Sequence, residues 1–286
     1  MKTISLKSYA KINLSLNVFG KIDEEYHKLD SIMLPIELHD SLIVNRLSSS
    51  EDNYVTIDDY SMGVINYNLA TYTIECLAKE FNFNDKFRVF IHKNIPIRSG
   101  LGGGSGNAAF TMKAVNQLLK LNISRDKMLE IAQKLGSDVP FFVDCIPARV
   151  QGKGEILTPI NVKNNYYVLL IKPMVGCSTK EIFEFADTME LKTTDIDKVV
   201  AALEQGDDEL LASVICNSLE EPACIKFPII GEIKKKLKDF GLNIVQMSGS
   251  GSTVFALSTN LTLLRKAAKL FNENECFVEL TKVRKS

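Results

Sequence analysis

Five glycines in seven residues, Gly100, Gly102, Gly103, Gly104 and Gly106, sit inside the run PIRSGLGGGSGNAA at 96–109. Such a run adds almost nothing to a core, but it lets backbone N–H groups converge and phosphate oxygens come close. Ser105 and Asn107 add short polar side chains, and Ala108, Met112, Val115 and Leu119 then recur at helical spacing. A glycine-rich turn feeding a helix N-terminus is an anion site, because the orphan N–H groups and the helix dipole point the same way. The alternative is a flexible loop capped by Ser105. The run is not a Walker A loop, which needs a lysine and then Ser or Thr after its last glycine, and it fits the dinucleotide fingerprint poorly. Counter-charge for a phosphate must therefore come from elsewhere, and Lys11, Lys93 and Mg²⁺ are the economical sources.

Lys11 stands in SYAKINLSLN with Asn13 two residues on. Residues at i and i+2 share a strand face, so both side chains can enter one pocket. The other reading is an exposed lysine guarding an edge strand. Asp138, between Gly136-Ser137 and Val139-Pro140, is either a turn residue or a carboxylate displayed at a helix end. A second run of small residues, 248–252 in MSGSGST, either bounds an anion or turns a hairpin.

These residues need elements to hold them. Strand patterns occur at 4–6, 12–18, 29–38, 41–47 and 54–57, and 87–91 returns to strand just before the glycines. Helical spacing begins at Asn68 with Leu69, Tyr72, Leu77 and Phe81, and helices are expected at 105–119 and 125–135, the latter closed by Gly136. After a polar boundary at 158–165, a buried strand is expected at 166–171 and a capping box at Ser178 to Glu181. Helices at 210–219, 229–240 and 261–271 and strands at 244–247, 253–257 and 277–280 complete the chain. Alternation of this kind implies two α+β or α/β domains rather than a repeat array.

With 34 basic and 35 acidic residues among 286, no broad electrostatic surface for nucleic acid is expected. Lys234 to Lys236 and Lys238 lie in an amphipathic run and read as a solvated helix face. Six cysteines without a CxxC pair read as reduced thiols in a cytosolic protein, and three histidines without ligand spacing argue against zinc. No apolar run approaches membrane-spanning length, so a secreted or membrane protein is disfavoured.

Three blocks occur in order: AKINL at 10–14, PIRSGLGGGSGNAA at 96–109 and SGSGSTVFAL at 248–257. In these the chain resembles the superfamily of galactose, homoserine, mevalonate and phosphomevalonate kinases. Tyr26-His27, GSDVPFF at 136–142 and GKGEILTPI at 152–160 are similar to its branch acting on a cytidine diphosphate alcohol of the non-mevalonate isoprenoid route. The likeness covers nearly the full chain.

The resemblance implies an α+β two-domain small-molecule kinase fold with the active cleft between the domains. An N-terminal, ribosomal-protein-S5-like ATP-binding domain would span 1–160, and a C-terminal, ferredoxin-like substrate domain 161–286. It implies catalytic roles for Asp138 and Lys11, with Asn13 contacting substrate beside the lysine. Pro96, Gly100, Leu101, Gly102, Gly103, Gly104, Ser105, Gly106 and Asn107 match the ATP phosphate loop, with Ser105 near phosphate or Mg²⁺. Asn68, Leu69 and Lys93 would line the nucleotide pocket. Tyr26 and Phe183 would sandwich the cytosine, His27 would read its polar edge, and Thr179 would touch substrate. The implied cofactors are ATP and Mg²⁺, and the partner is a small molecule. No nucleic acid or membrane is expected, and a cytoplasmic monomer or homodimer is.

The chain departs from the family pattern in several places. Glu25 stands where DGYH has glycine, Gly106 where GGGSSNAA has a second serine, and Lys180 where a proline follows the threonine. Pro147, Arg149 and Val150 replace small residues. These departures leave open a kinase of another small alcohol, or a non-catalytic nucleotide- or metabolite-binding relative.

Overall fold

The computed structural model describes residues 2–22, 26–47, 52–58 and 68–285; the Glu25 departure lies outside the described residues. The first elements are β1 (Thr3–Lys21), β2 (His27–Arg46), β3 (Tyr54–Ile57), α1 (Leu69–Phe81), β4 (Phe87–His92), α2 (Gly103–Leu119), α3 (Arg125–Leu135) and α4 (Phe141–Asp144). There follow β5 (Ala148–Gly152), β6 (Ile156–Pro159), β7 (Tyr167–Pro173), α5 (Thr179–Ala186), α6 (Ile196–Gln205), α7 (Asp208–Val214) and α8 (Glu220–Lys226). The last are α9 (Pro228–Asp239), β8 (Ile244–Met247), β9 (Val254–Ser258), α10 (Leu261–Ala268) and β10 (Cys276–Lys282).

Two compact units share the chain. One holds Met1–Ala10, Leu38–Ile95 and Gly102–Cys145, the other Lys11–Glu37, Pro96–Leu101 and Ile146–Ser286. In the first unit β4 pairs antiparallel with the second half of β2 and parallel with β3, and α1 packs on α2. In the second unit the first half of β2 pairs with β5, and β5 with β6. The second unit also holds an antiparallel sheet in the order β10-β7-β9-β8. Its core joins Leu169, Ile171, Val245 and Val254 from that sheet to Ile182, Ile230, Ile233, Leu237 and Leu264 from the helices. A β-α-β-β-α-β path with its first and last strands adjacent is the ferredoxin-like arrangement.

The opening strand differs from its expected form in an informative way. Ile12, Leu14, Leu16 and Val18 alternate, as a half-buried strand requires, yet Lys11, Asn13, Ser15 and Asn17 between them are buried too. β1 is continuous for 19 residues, not broken after Leu6, and it presents one apolar and one polar buried face. The reading of Lys11 as an exposed edge residue is thereby overturned, since it is 3% exposed.

The expected helix at 210–219 stops at Val214. The apolar spacing continues, but Ile215 is extended (φ −67°, ψ 134°), and the chain crosses to β1, where Leu16 N–H donates to Cys216 O and Ser218 N–H to Leu16 O, both at 2.8 Å. The lysine run on α9 is only partly a solvated face. Lys235 points outward to Asp239, while Lys234 is 19% exposed, pairs with Glu220 and donates to Gln246 Oε1 at 2.9 Å.

All six cysteines are unpaired thiols, and among the described residues no helix is long and apolar enough to cross a membrane. Burial pushes the Cys177 and Cys224 thiols up to about 11. Because the thiolate is the nucleophile, alkylation of these two at pH 8 is expected to run about a hundredfold slower in the native than in the denatured protein. Peptide mapping by mass spectrometry after timed labelling checks this, and equal rates would contradict it.

Candidate functional site

The glycine-rich run divides between the two units. Gly102 to Asn107 form the start of α2 in the first unit, with Gly102 as N-cap at φ +72° and no side chain capping the helix. Among the described residues these first-turn N–H groups meet no capping side chain, an arrangement suited to an anion. Ser105 lies in this turn. Beneath it is a group that sequence reading missed. Asp40, fully buried, accepts from Lys93 Nζ at 2.5 Å, from Asn107 Nδ2 at 3.0 Å and from the N–H groups of Asn94 and Ile95 at 2.9 Å. Four donors hold one carboxylate, so Lys93 is fixed beside the helix start. A Cβ on Gly103 would lie 3.1 Å from its Nζ. In HDS, between two strand patterns, Asp40 reads as an ordinary surface turn, and only the fold reveals its donors. Asn68 caps α1, its Oδ1 accepting from Ala70 N–H at 2.8 Å, and Leu69 follows in the first turn.

Gly106 is explained by its neighbours. A Cβ there would lie 2.9 Å from Ser8 Oγ and 3.1 Å from Tyr9 O, so the space a serine at 106 needs is taken by a serine on β1. Gly106→Ser is expected to cost about 1–3 kcal/mol by overpacking. Ser8→Gly should recover much of that loss in the double mutant, read by urea unfolding. Strict additivity would show that the two positions do not share this space.

In the second unit the polar face of β1 meets the small-residue loop 248–252. Lys11 Nζ donates to Asn13 Oδ1 at 2.5 Å, and Asn13 Nδ2 donates to Ser31 Oγ at 2.9 Å, which itself donates to Ser15 O at 2.7 Å. Asn13 N–H donates to Ser248 Oγ, and Ser248 Oγ to Gly100 O. Asn217 Nδ2 donates to Met247 O and Gly249 O at 2.8 Å. Any Cβ on Gly249 would sit 3.2 Å from Asn13 Oδ1 and 3.5 Å from Lys11 Nζ. Thr179 Oγ1 is 2.9 Å from Ser250 Oγ, which brings Thr179 to the same loop. Pro96 O accepts from Ser99 Oγ, and Leu101 O from Lys11 N–H. Further along the strand, Ser15 and Asn17 are consumed by the backbone of Cys216 and Thr194. The Lys11–Asn13 end of the polar face reaches the 248–252 loop.

Asp138 lies in the turn between α3 and α4 of the first unit, half-buried between Gly136 and the buried Val139, Phe141 and Phe142.

Also in the second unit, the His27 and Phe183 rings stand 4.9 Å apart at 37°. Lys153 Nζ lies 5.1 Å from the centre of the Tyr26 ring. His27 Nε2 is 2.6 Å from Asp187 Oδ1, and Lys21 Nζ is 3.0 Å from Asp187 Oδ2. Arg149, whose bulk and charge stood out in the sequence, is held by Asp30 at 2.8 and 2.7 Å and by Asp197 at 2.6 Å.

Residues 68–144 match the GHMP kinases N terminal domain and residues 199–277 the GHMP kinases C terminal domain. The chain belongs to the GHMP kinase family and is a small-molecule kinase. A 4-diphosphocytidyl-2-C-methyl-D-erythritol kinase from Geobacillus kaustophilus is 36% identical over 254 residues, 89% of this chain and 88% of that one. The crystal structure of a 4-(cytidine 5′-diphospho)-2C-methyl-D-erythritol kinase is similar with a TM-score of 0.81 at 26% identity, covering 99% of this chain and 100% of the other. A homoserine kinase from Cytophaga hutchinsonii, 19% identical with a TM-score of 0.76 over 99% of this chain and 95% of that one, shares the fold.

Proposed function

We propose that this kinase uses ATP with Mg²⁺ to phosphorylate the 2-hydroxyl of 4-(cytidine 5′-diphospho)-2-C-methyl-D-erythritol. The observation that carries the reading is the Lys11 ammonium, 3% exposed, bonded to Asn13 and 3.5 Å from where a Cβ on Gly249 would stand. An ammonium held beside a loop of small residues can pair with phosphate oxygens brought there by a ligand. The relatives' names supply the substrate class.

In this reading Gly102 to Asn107 cradle the nucleotide phosphates, with Lys93 beside them. Lys11 stabilises charge on the transferring phosphoryl group, and Asp138 accepts the proton of the attacking hydroxyl. Asn13 and Thr179 contact the acceptor, and Tyr26, His27 and Phe183 take the pyrimidine by stacking and edge hydrogen bonds. No cluster of three or more acidic, histidine or cysteine side chains with metal-holding geometry occurs among the described residues. Mg²⁺ arrives on nucleotide phosphates and asks the protein for one or two oxygens. Ser105 is the candidate oxygen, and the ion would neutralise phosphate charge. We place the boundary between the ATP-binding and substrate domains near residue 160. We place the enzyme in the cytoplasm, as monomer or homodimer, with a small-molecule partner only.

The test is an ADP-release assay offering the cytidylyl alcohol against mevalonate, homoserine and common sugars. Turnover of the cytidylyl alcohol alone is expected, and robust turnover of another alcohol without it overturns the reading. Lys11→Met is expected to lower kcat by about 10²–10³-fold, the scale for removing one preorganised donor from a developing anion. Lys11→Arg should not rescue it, because the planar fork cannot occupy a point-charge site. Steady-state kinetics of both variants decide this.

A further inference from the structure

His27, Asp187 and Lys21 form a chain that the proposed reaction does not require. Asp187 is the C-cap of α5, 160 residues from His27 in sequence, yet its Oδ1 is 2.6 Å from His27 Nε2. Lys21 Nζ, 3.0 Å from Oδ2, holds the other oxygen. Burial pushes the Asp187 carboxyl up, but the bonds from His27 and Lys21 outweigh it and keep the group below its ordinary value. Asp187 is therefore ionised at neutral pH and can only accept. Nε2 must then carry the proton, and in the neutral ring Nδ1 is left with a lone pair. Nδ1 has no partner among the described residues, and the His27 side chain is 9% exposed, its ring 4.9 Å from that of Phe183.

We propose that Asp187 is a positioning residue that fixes the tautomer of His27 and thereby makes the site select an amino-pyrimidine over a keto-pyrimidine. This rests on the pyrimidine reading given above. An Nδ1 lone pair accepts from the exocyclic amine of cytosine. It faces the carbonyl oxygen that uracil carries at the same place with repulsion, so selection comes from an unfavourable pairing as well as a favourable one. Sequence reading missed Asp187 because FEFADTME offers a carboxylate among several on a helix end, with nothing to mark its partner.

Two measurements test this on the whole protein. With three histidines in the chain, long-range ¹H–¹⁵N spectra resolve each tautomer, and His27 is expected as the Nε2–H form in the free protein. Titration with cytidine diphosphate and uridine diphosphate gives the preference for cytidine in wild type, Asp187→Asn and Asp187→Ala. The Asn amide can donate to Nε2 and free Nδ1 to carry the proton, and Ala imposes no tautomer. The cytidine preference is expected to fall at least about tenfold in both, while homonuclear spectra show both variants folded. An Nδ1–H tautomer in wild type, or an unchanged preference in both variants, overturns the role of Asp187 alone. A wild-type protein that binds neither nucleotide, or binds both equally, overturns the pyrimidine reading and this inference with it.

Discussion

Asp138→Asn is expected to lower kcat by about 10²–10⁴-fold, the range for loss of a positioned general base, while nucleotide affinity stays within about threefold of wild type. The turn that presents this residue is firmly built. Gly136 closes α3, its N–H bonded to Ala132 O at 3.2 Å, at a φ of +154° that disfavours any other residue. Val139 N–H returns to Gly136 O at 3.1 Å, and Phe142 N–H to Val139 O at 3.1 Å. Val139 and Phe142 are fully buried and Phe141 is 2% exposed. Those anchors leave Asp138 half-buried with its backbone fixed. Asparagine keeps the volume and one acceptor oxygen but cannot take up a proton, so ground-state structure survives and the proton transfer does not. A variant whose kcat falls less than tenfold would remove Asp138 from the chemistry. One that also loses nucleotide binding would make it a structural residue of the turn.

The sequence made the glycine-led start of α2 legible because glycine density and helical spacing are local signals. It made Lys11 and Asn13 legible as a same-face pair, and the strand carries them on a common buried face. It also made the capping of α5 legible, with Ser178 accepting from Glu181 N–H at 3.5 Å. What it hid is long-range. Asp40 gathers Lys93 and Asn107 from 53 and 67 residues away, and Asn217 holds Met247 and Gly249 from 30 and 32 away. Neither has a spacing that marks it. The helix expected at 210–219 failed for the same reason: its apolar period was real, but pairing with Leu16, remote in the chain, took the backbone out of the helix. Thr179 and Phe183, four residues apart on α5, go to different places, one to the 248–252 loop and one to His27. Helical spacing alone cannot separate those destinations.

Gly100→Ala is expected to destabilise the protein by about 3 kcal/mol or more, lowering Tm by roughly 5–10 °C and removing most activity, whereas Gly104→Ala in the same run should leave Tm unchanged or raise it slightly. At Gly100 φ is +75°, and a Cβ would stand 2.1 Å from Ser248 O and 3.1 Å from Gly251 O. Backbone cannot swing aside as a side-chain tip can. Ser248 O accepts from Gly251 N–H at 3.0 Å, Ser248 N–H donates to Thr253 O at 2.9 Å, and Thr253 N–H donates to Ser99 O at 3.2 Å. Moving Ser248 also breaks its bond with Asn13 N–H at 3.1 Å and draws Gly249 away from Lys11. A fault in stability thus reaches the lysine. Gly104 is helical, and a Cβ there meets nothing within 4 Å. Alanine at that position only stiffens the unfolded chain and favours the helix. Thermal melts of the two variants side by side decide the matter. If Gly100→Ala melts within 2 °C of wild type, the two small-residue loops are not locked backbone to backbone. Glycine at 100 would then be no more required by packing than glycine at 104 is.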